Sequence, residues 1–192
     1  FVPTMFRMML NEPGLSRTDL SSLRCISYGS AAMPEPLLRE FMAALPSVRM
    51  LQSYGMTELS PSAAWLQPKY HVLDGPLAGK IKSIGQAIHT AEIRIANEDD
   101  VELPPGEIGE IQVRGPMVMQ GYWNREEESA EVLAGGWMHT GDLASMDEDG
   151  FFKICGRKKD MINCSGLKVF PDEVDEVLMG HPAILEAATI GV

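Results

Sequence analysis

Two apolar runs of strand length, Leu23 to Tyr28 and Val48 to Tyr54, bracket a helical pattern that begins near Pro34 and stops at Pro46. No other feature constrains the chain as much. Strand, helix and strand at this spacing form a crossover unit, and crossovers join parallel strands. The punctuation agrees. Pro34 and Pro36 stand at the helix start, where a missing N–H costs least, and Pro46 marks its end. The loop Gly29-Ser30-Ala31-Ala32 between the first strand and the helix has only small side chains, so its backbone is uncovered. In parallel sheets ligands bind at the C-terminal ends of the strands. The alternative is a close-packed glycine turn with no ligand.

The flanking residues divide the rest of the chain. "PTMFRMMLNEPG" predicts a short helix closed by Asn11 to Gly14. After residue 80 the pattern becomes alternation, in "AEIRIAN" and "GEIQVRG", separated by Asp- and Gly-bearing turns. That predicts an antiparallel sheet or small barrel. "REEESAEVLAGG" reads as a short helix with an acidic first turn and a glycine stop. From Gly156 a basic, polar stretch, "GRKKDMINCSG", reads as a junction. A helix starting near Pro171 follows it, and then a strand in "AILEAATIGV". The expected architecture is α/β: a parallel-sheet subdomain over residues 1–80, a β-rich, barrel-like antiparallel subdomain over 81–155, and a further small unit beginning at 156–192. Phe1 is not an initiator methionine and "AATIGV" reads as a strand cut in mid-course, so the sequence is expected to be part of a longer chain.

Composition removes several function classes. The net charge of −11 argues against a nucleic-acid grip, which needs a basic face. No apolar run is long enough to cross a bilayer, and no basic amphipathic helix supports membrane contact. Cys25, Cys155 and Cys164 are odd in number and lack CxxC spacing, which predicts free thiols in a reducing, cytoplasmic setting. Four scattered histidines predict no zinc cluster. Nothing in the sequence sets an oligomeric state.

Beside the Gly29–Ala32 loop, three further strings carry chemistry. In "LQSYGMTE", Tyr54 offers a face for a planar ring, Thr57 a donor for an oxyanion and Glu58 a hard oxygen for Mg²⁺. The alternative there is a strand end followed by a helix that Thr57 caps. In "GGWMHTGDLA", Asp142 could accept two hydrogen bonds from a ribose diol, or could simply form a turn with Gly141, while His139 reads as a packed or solvent-facing histidine. In "GRKKD", Arg157 is a fixed bidentate donor, and Lys158, Lys159 and Asp160 read alternatively as a solvated charge run. Met33, Trp65 and Leu66 could line an apolar tunnel or belong to the core.

"YGMTE", "HTGDLA" and "DGFFKICGRKKDMINCSGLKVFPDEVDEVL" together, in this order over essentially the whole chain, resemble the adenylate-forming superfamily. That superfamily comprises acyl-CoA synthetases, peptide-synthetase adenylation domains and beetle luciferases. The resemblance is nearest to the fatty-acid ligases, in "GPMVMQGYWNREEESAEVL" and "GGWMHTGDLASMDEDGFFKICGRKKDMI". It implies that Gly29, Ser30 and Ala31 lie on one face of adenine and that Tyr54, Gly55 and Met56 form the other wall. By the same resemblance Gln52 reads the adenine edge, Thr57 contacts the α-phosphate and the acyl carboxylate, and Glu58 holds Mg²⁺. Asp142 contacts the ribose, and Arg157 makes a second contact, to the ribose or a phosphate. Lys159 is the hinge of a small α+β C-terminal lid beginning at residue 156, and Ser165 and Gly166 face the coenzyme A channel. The implied reaction takes ATP and a medium- or long-chain fatty acid to acyl-AMP, then coenzyme A to acyl-CoA. An aryl acid, a carrier-protein acceptor, or a non-catalytic adenine-nucleotide module are the alternatives. The superfamily's Ser/Thr/Gly-rich phosphate loop and its adenylation lysine have no counterpart in these residues, and Asn163 stands where many members carry lysine. The 192 residues alone are therefore expected to make little acyl-adenylate.

Overall fold

The computed structural model describes residues 1–164, 167–181, 183–184 and 187–191. The chain forms two compact units, Phe1–Ala91 with Gly115–Met119, and Glu92–Arg114 with Gln120–Val192.

The first unit opens with helix α1 (Pro3–Leu10), with Pro3 in its first turn. Strand β1 (Cys25–Gly29), helix α2 (Glu35–Ala44) and strand β2 (Arg49–Tyr54) then form the expected crossover, and β1 and β2 pair in parallel from Cys25↔Arg49 to Gly29↔Ser53. Pro34 is the N-cap of α2 and Pro36 lies in its first turn. The apolar face of α2 explains why it folds back on the sheet. Leu37, Leu38 and Phe41 are buried in one cluster with Phe6, Ile26, Tyr28 and Met50. Each such side chain contributes about 1.5–3 kcal/mol on burial. The two short strands β3 (Ala64–Leu66) and β4 (Gln86–Ala87) extend the sheet antiparallel, in the order β1-β2-β3-β4. Leu66 is fully buried and Met33 packs on the core cluster, which favours the core reading for both, whereas Trp65 is 40% exposed.

The second unit is a four-stranded antiparallel meander of β5 (Glu92–Ala96), β6 (Gly109–Arg114), β7 (Met138–Met146) and β8 (Phe152–Arg157). Among the described residues β5 and β8 are its outer strands. Helix α3 (Glu126–Val132) precedes β7, with three glutamates in its first turn and left-handed Gly135 and Gly136 beyond its end. The β7–β8 turn is built by Asp147, whose Oδ1 accepts the N–H groups of Asp149 and Phe151.

Two expectations change. The stretch read as a polar junction contributes to an antiparallel strand pair, β9 (Ile162–Cys164) and β10 (Leu167–Val169), followed by helix α4 (Pro171–Met179). The strand expected in "AILEAATIGV" is not formed by the described residues there, which have no strand partner to bond their backbone. No helix among the described residues is long and apolar enough to cross a membrane.

Candidate active site

In the first unit the C-terminal ends of β1 and β2 open into a cleft of about 470 Å³. Its walls include Ser27, Tyr28, Gly29 and Ser30 from β1 and its loop, and Ser53, Gly55, Met56, Thr57 and Glu58 from β2 and the turn after it. Two glycines make this closeness possible. A Cβ on Gly29 would collide with the Ser53 carbonyl oxygen, and one on Gly55 with the Pro61 carbonyl oxygen. Ser30 holds φ 66°, the left-handed region that costs a non-glycine residue energy and that clusters at functional sites.

Thr57–Leu59 is a single 3₁₀ turn, anchored by the fully buried Leu59 and ended by left-handed Ser60. Met56, not Thr57, holds the N-cap position, and no side chain caps the turn, so the helix-cap reading of Thr57 is set aside. The Thr57 side chain is left exposed. The Met119 N–H donates to the Glu58 carbonyl at 2.8 Å and holds the turn from the other side.

Of the predicted residues, Gly29, Ser30, Gly55, Met56, Thr57 and Glu58 meet in this cleft. Ala31 is exposed on the same loop. Gln52 and Tyr54 do not line it, although they flank the lining residue Ser53 along β2. The Gln52 amide faces the Tyr28 hydroxyl at 3.4 Å. Beneath the cleft the Tyr28 hydroxyl and His71 Nε2 are 2.9 Å apart, and His71 Nδ1 is 3.2 Å from the Gln67 carbonyl. A carbonyl only accepts, so Nδ1 carries the proton and Nε2 accepts from Tyr28. Burial raises the Tyr28 pKa and lowers that of His71, keeping both neutral.

The other predicted residues lie in the second unit. Asp142 is opposite Arg157 across β7 and β8, and Arg157 Nε donates to Asp142 Oδ1 at 2.8 Å. A second guanidinium nitrogen donates to the Thr140 carbonyl at 3.1 Å. The Gly-Asp pair is not a chain reversal, which corrects the turn reading. β7 continues through it, with a bulge in which Thr140, Gly141 and Asp142 together oppose the single residue Ile111 of β6. Bulges of this kind re-aim side chains. The Thr140 hydroxyl donates to the Ile111 carbonyl at 2.8 Å and accepts the Asp142 N–H at 3.1 Å. His139 is packed and not solvent-facing, with Nδ1 3.5 Å from the buried Glu110. Lys159 lies in the 3₁₀ turn Lys158–Asp160 directly after β8, while Ser165 and Gly166 lie outside the described residues.

Sequence reasoning missed Glu110, Tyr28 and His71. Glu110 sits in the alternation E-I-Q-V of β6, where every second residue is polar, and such a strand reads as solvent-facing on one side. The fold covers that side as well.

Glu58 contributes one hard oxygen at the cleft, and no trio of His, Cys, Asp and Glu among the described residues could hold a metal by itself. One carboxylate with phosphate oxygens is the usual Mg²⁺ arrangement, so these residues fit a metal that arrives with a nucleotide.

Known proteins resemble the chain over its full length. It is 40% identical to a long-chain-fatty-acid–CoA ligase of Escherichia coli O6:H1 over all of the chain and 33% of that protein. It is 41% identical to a feruloyl-CoA synthase of an Amycolatopsis species over all of the chain and 37% of that protein. It thus spans about a third of the length of the curated relatives it matches. The solved O-succinylbenzoate coenzyme A synthetase of Bacillus subtilis, in complex with ATP and magnesium ion, superposes with a TM-score of 0.85 at 35% identity. That match covers all of this chain and 38% of the synthetase. Residues 1–123 match the AMP-binding enzyme family, and the chain belongs to that family.

Proposed function

We propose that the chain carries the adenylate-binding part of an AMP-forming acid–thiol ligase that acts on a medium- or long-chain fatty acid. The observation that carries this reading is the cleft where Gly29–Ser30 and Gly55–Glu58 converge at the ends of two parallel strands. The likeness to a fatty-acid–CoA ligase supports the choice of acid.

In this reading adenine lies along Gly29, Ser30 and Ala31, with Gln52, Tyr54, Gly55 and Met56 on its other side. A carboxylate oxygen of the acid attacks the α-phosphorus of ATP, and the bond to pyrophosphate breaks. The Thr57 hydroxyl donates to the oxygens that gather charge in that step. Glu58 holds Mg²⁺, which neutralises phosphate charge when bound. Asp142 accepts from the ribose hydroxyls, and Arg157 keeps the carboxylate aligned and makes a second contact, to the ribose or a phosphate. The coenzyme A thiolate then attacks the acyl carbon and AMP departs. Lys159 serves as the hinge of a lid begun by residues 156–192, following the end-of-sheet and barrel-like pieces 1–80 and 81–155, and Ser165 and Gly166 border the thiol's path. Three free cysteines support a reducing, cytoplasmic setting.

A second reading has its own support, because a feruloyl-CoA synthase is as similar as the fatty-acid ligase. It replaces the alkyl chain by an aryl acid and leaves every nucleotide contact unchanged.

Calorimetric titration with a fatty acyl-sulfamoyl-adenosine, and with its feruloyl counterpart, tests both. Binding should weaken at least tenfold, about 1.4 kcal/mol, in Asp142→Ala. Tighter binding of the feruloyl compound would favour the second reading. A folded chain, also tested with flanking sequence restored, that binds neither compound would defeat both.

A further inference from the structure

Glu110 is a carboxylate where β6 could have carried an apolar residue. Ile111 and Val113 are fully buried on one face of β6, and Glu110 and Gln112 are 8% and 0% exposed on the other. A charge taken out of water is costly unless its oxygens are bonded. The two oxygens of Glu110 have different partners. Oε1 accepts the Gly141 N–H at 2.9 Å. Oε2 faces Lys158 Nζ at 3.4 Å and His139 Nδ1 at 3.5 Å.

Gly141 is the middle residue of the β7 bulge, with φ 72°. Its N–H therefore meets a side chain in place of a strand neighbour. The carbonyl of Ile111, the β6 residue opposite the bulge, accepts the Thr140 hydroxyl, which in turn accepts the Asp142 N–H. Two side chains thus replace the missing ladder: Thr140 on one flank and Glu110 on the other.

We propose that Glu110 is the positioning residue of this bulge. Its Oε1 holds the Gly141 amide and so sets the direction in which Asp142 leaves the strand. The effect on nucleoside affinity rests on the reading of Asp142 given above. The Oε2 contact to Lys158 is separable, because a neutral amide oxygen can still accept the Gly141 N–H.

The test joins a ligand-free readout to a ligand-dependent one. In ¹⁵N–¹H spectra the Gly141 amide should be protected from exchange in the wild-type chain and in Glu110→Gln. It should exchange at least tenfold faster in Glu110→Ala, with Ile111 and Val113 unchanged. With AMP as the probe, Glu110→Ala should weaken binding about tenfold and Glu110→Gln less than threefold. In an Asp142→Ala background Glu110→Ala should add little, because the carboxylate it positions is gone. A Gly141 amide indifferent to Glu110 overturns the proposal. So does a loss of AMP affinity equally large with and without Asp142, which is what a merely structural residue would give. If Glu110→Ala does not fold, Glu110→Asp keeps the charge, withdraws the oxygens by one methylene and serves the same comparison. A folded wild-type chain that ignores AMP defeats the functional reading alone, and the Gly141 amide still decides the role of Glu110.

Discussion

The two units build their candidate site elements from opposite materials. The cleft in the first unit is made by omission. Gly29 and Gly55 bring backbone against backbone where any side chain would collide, and what is offered is peptide surface and the short turn of Thr57 and Glu58. The bulge in the second unit is made by addition. Asp142 and Arg157 bond each other, and Glu110, Thr140 and Arg157 bond the backbone, across three strands. A site made by omission should break when one carbon is added. A site made by addition should break when one atom is removed, and by less, because its members share the task.

The largest effect should come from adding a carbon. Gly55→Ala sets a methyl group against the Pro61 carbonyl, a backbone atom that cannot turn aside, and should cost about 3 kcal/mol in a urea titration, at the top of the usual range for overpacking. A loss below that of a typical surface change would break the comparison. Thr140→Val keeps the shape but orphans the Ile111 carbonyl and the Asp142 N–H. It should cost about 2 kcal/mol in the same assay. Arg157→Lys should do less to stability, since Arg157 is half exposed, but a single ammonium cannot bridge Asp142 and the Thr140 carbonyl as the guanidinium does. Affinity for the acyl-sulfamoyl-adenosine should fall about fivefold, roughly 1 kcal/mol.

The smallest effect sharpens the contrast, because the first unit also has a side-chain pair, Tyr28 and His71, beneath its cleft. Burial holds His71 below its ordinary pKa of 6.5. As pH falls the unfolded chain takes up the proton first. The stability contributed by neutral His71 is therefore complete above pH 6.5 and is lost as pH falls toward the folded value. Thermal melts between pH 7.5 and about 5.5 should show that decline and lose part of it in His71→Asn.

What was legible in the sequence follows the same division. The β1-α2-β2 crossover is written locally, in Pro34, Pro36 and Pro46 and in two apolar runs, and so are the small residues of the cleft loop. The alternation of β5 and β6 and the glycine stop after α3 were local too. Neither the bulge nor its support could be read this way. "HTGDLA" carries every mark of a turn, and only pairing with β6 and β8 keeps it within a strand. Glu110 looks like any solvent-side strand residue until a second face is covered. The short strand β3 escapes for another reason, since three residues are too few for a period to show. The 3₁₀ turn at Thr57 hides its own start, because the hydroxyl that resembles a cap is the turn's first residue.

The segment Gly115–Met119 belongs to the first unit although the chain on both sides of it belongs to the second. Its Met119 amide closes on the Glu58 carbonyl. This has a consequence in time. A growing polypeptide leaves the ribosome from its N-terminus, and domains tend to fold in that order. Here the last segment of the first unit emerges only with residue 119, by which point the whole of β5 and β6 has already been synthesised. A gene cut after residue 91 would yield a sheet whose Thr57–Glu58 turn lacks its Met119 clasp, so the first unit is one body by its contacts but two pieces along the message that encodes it.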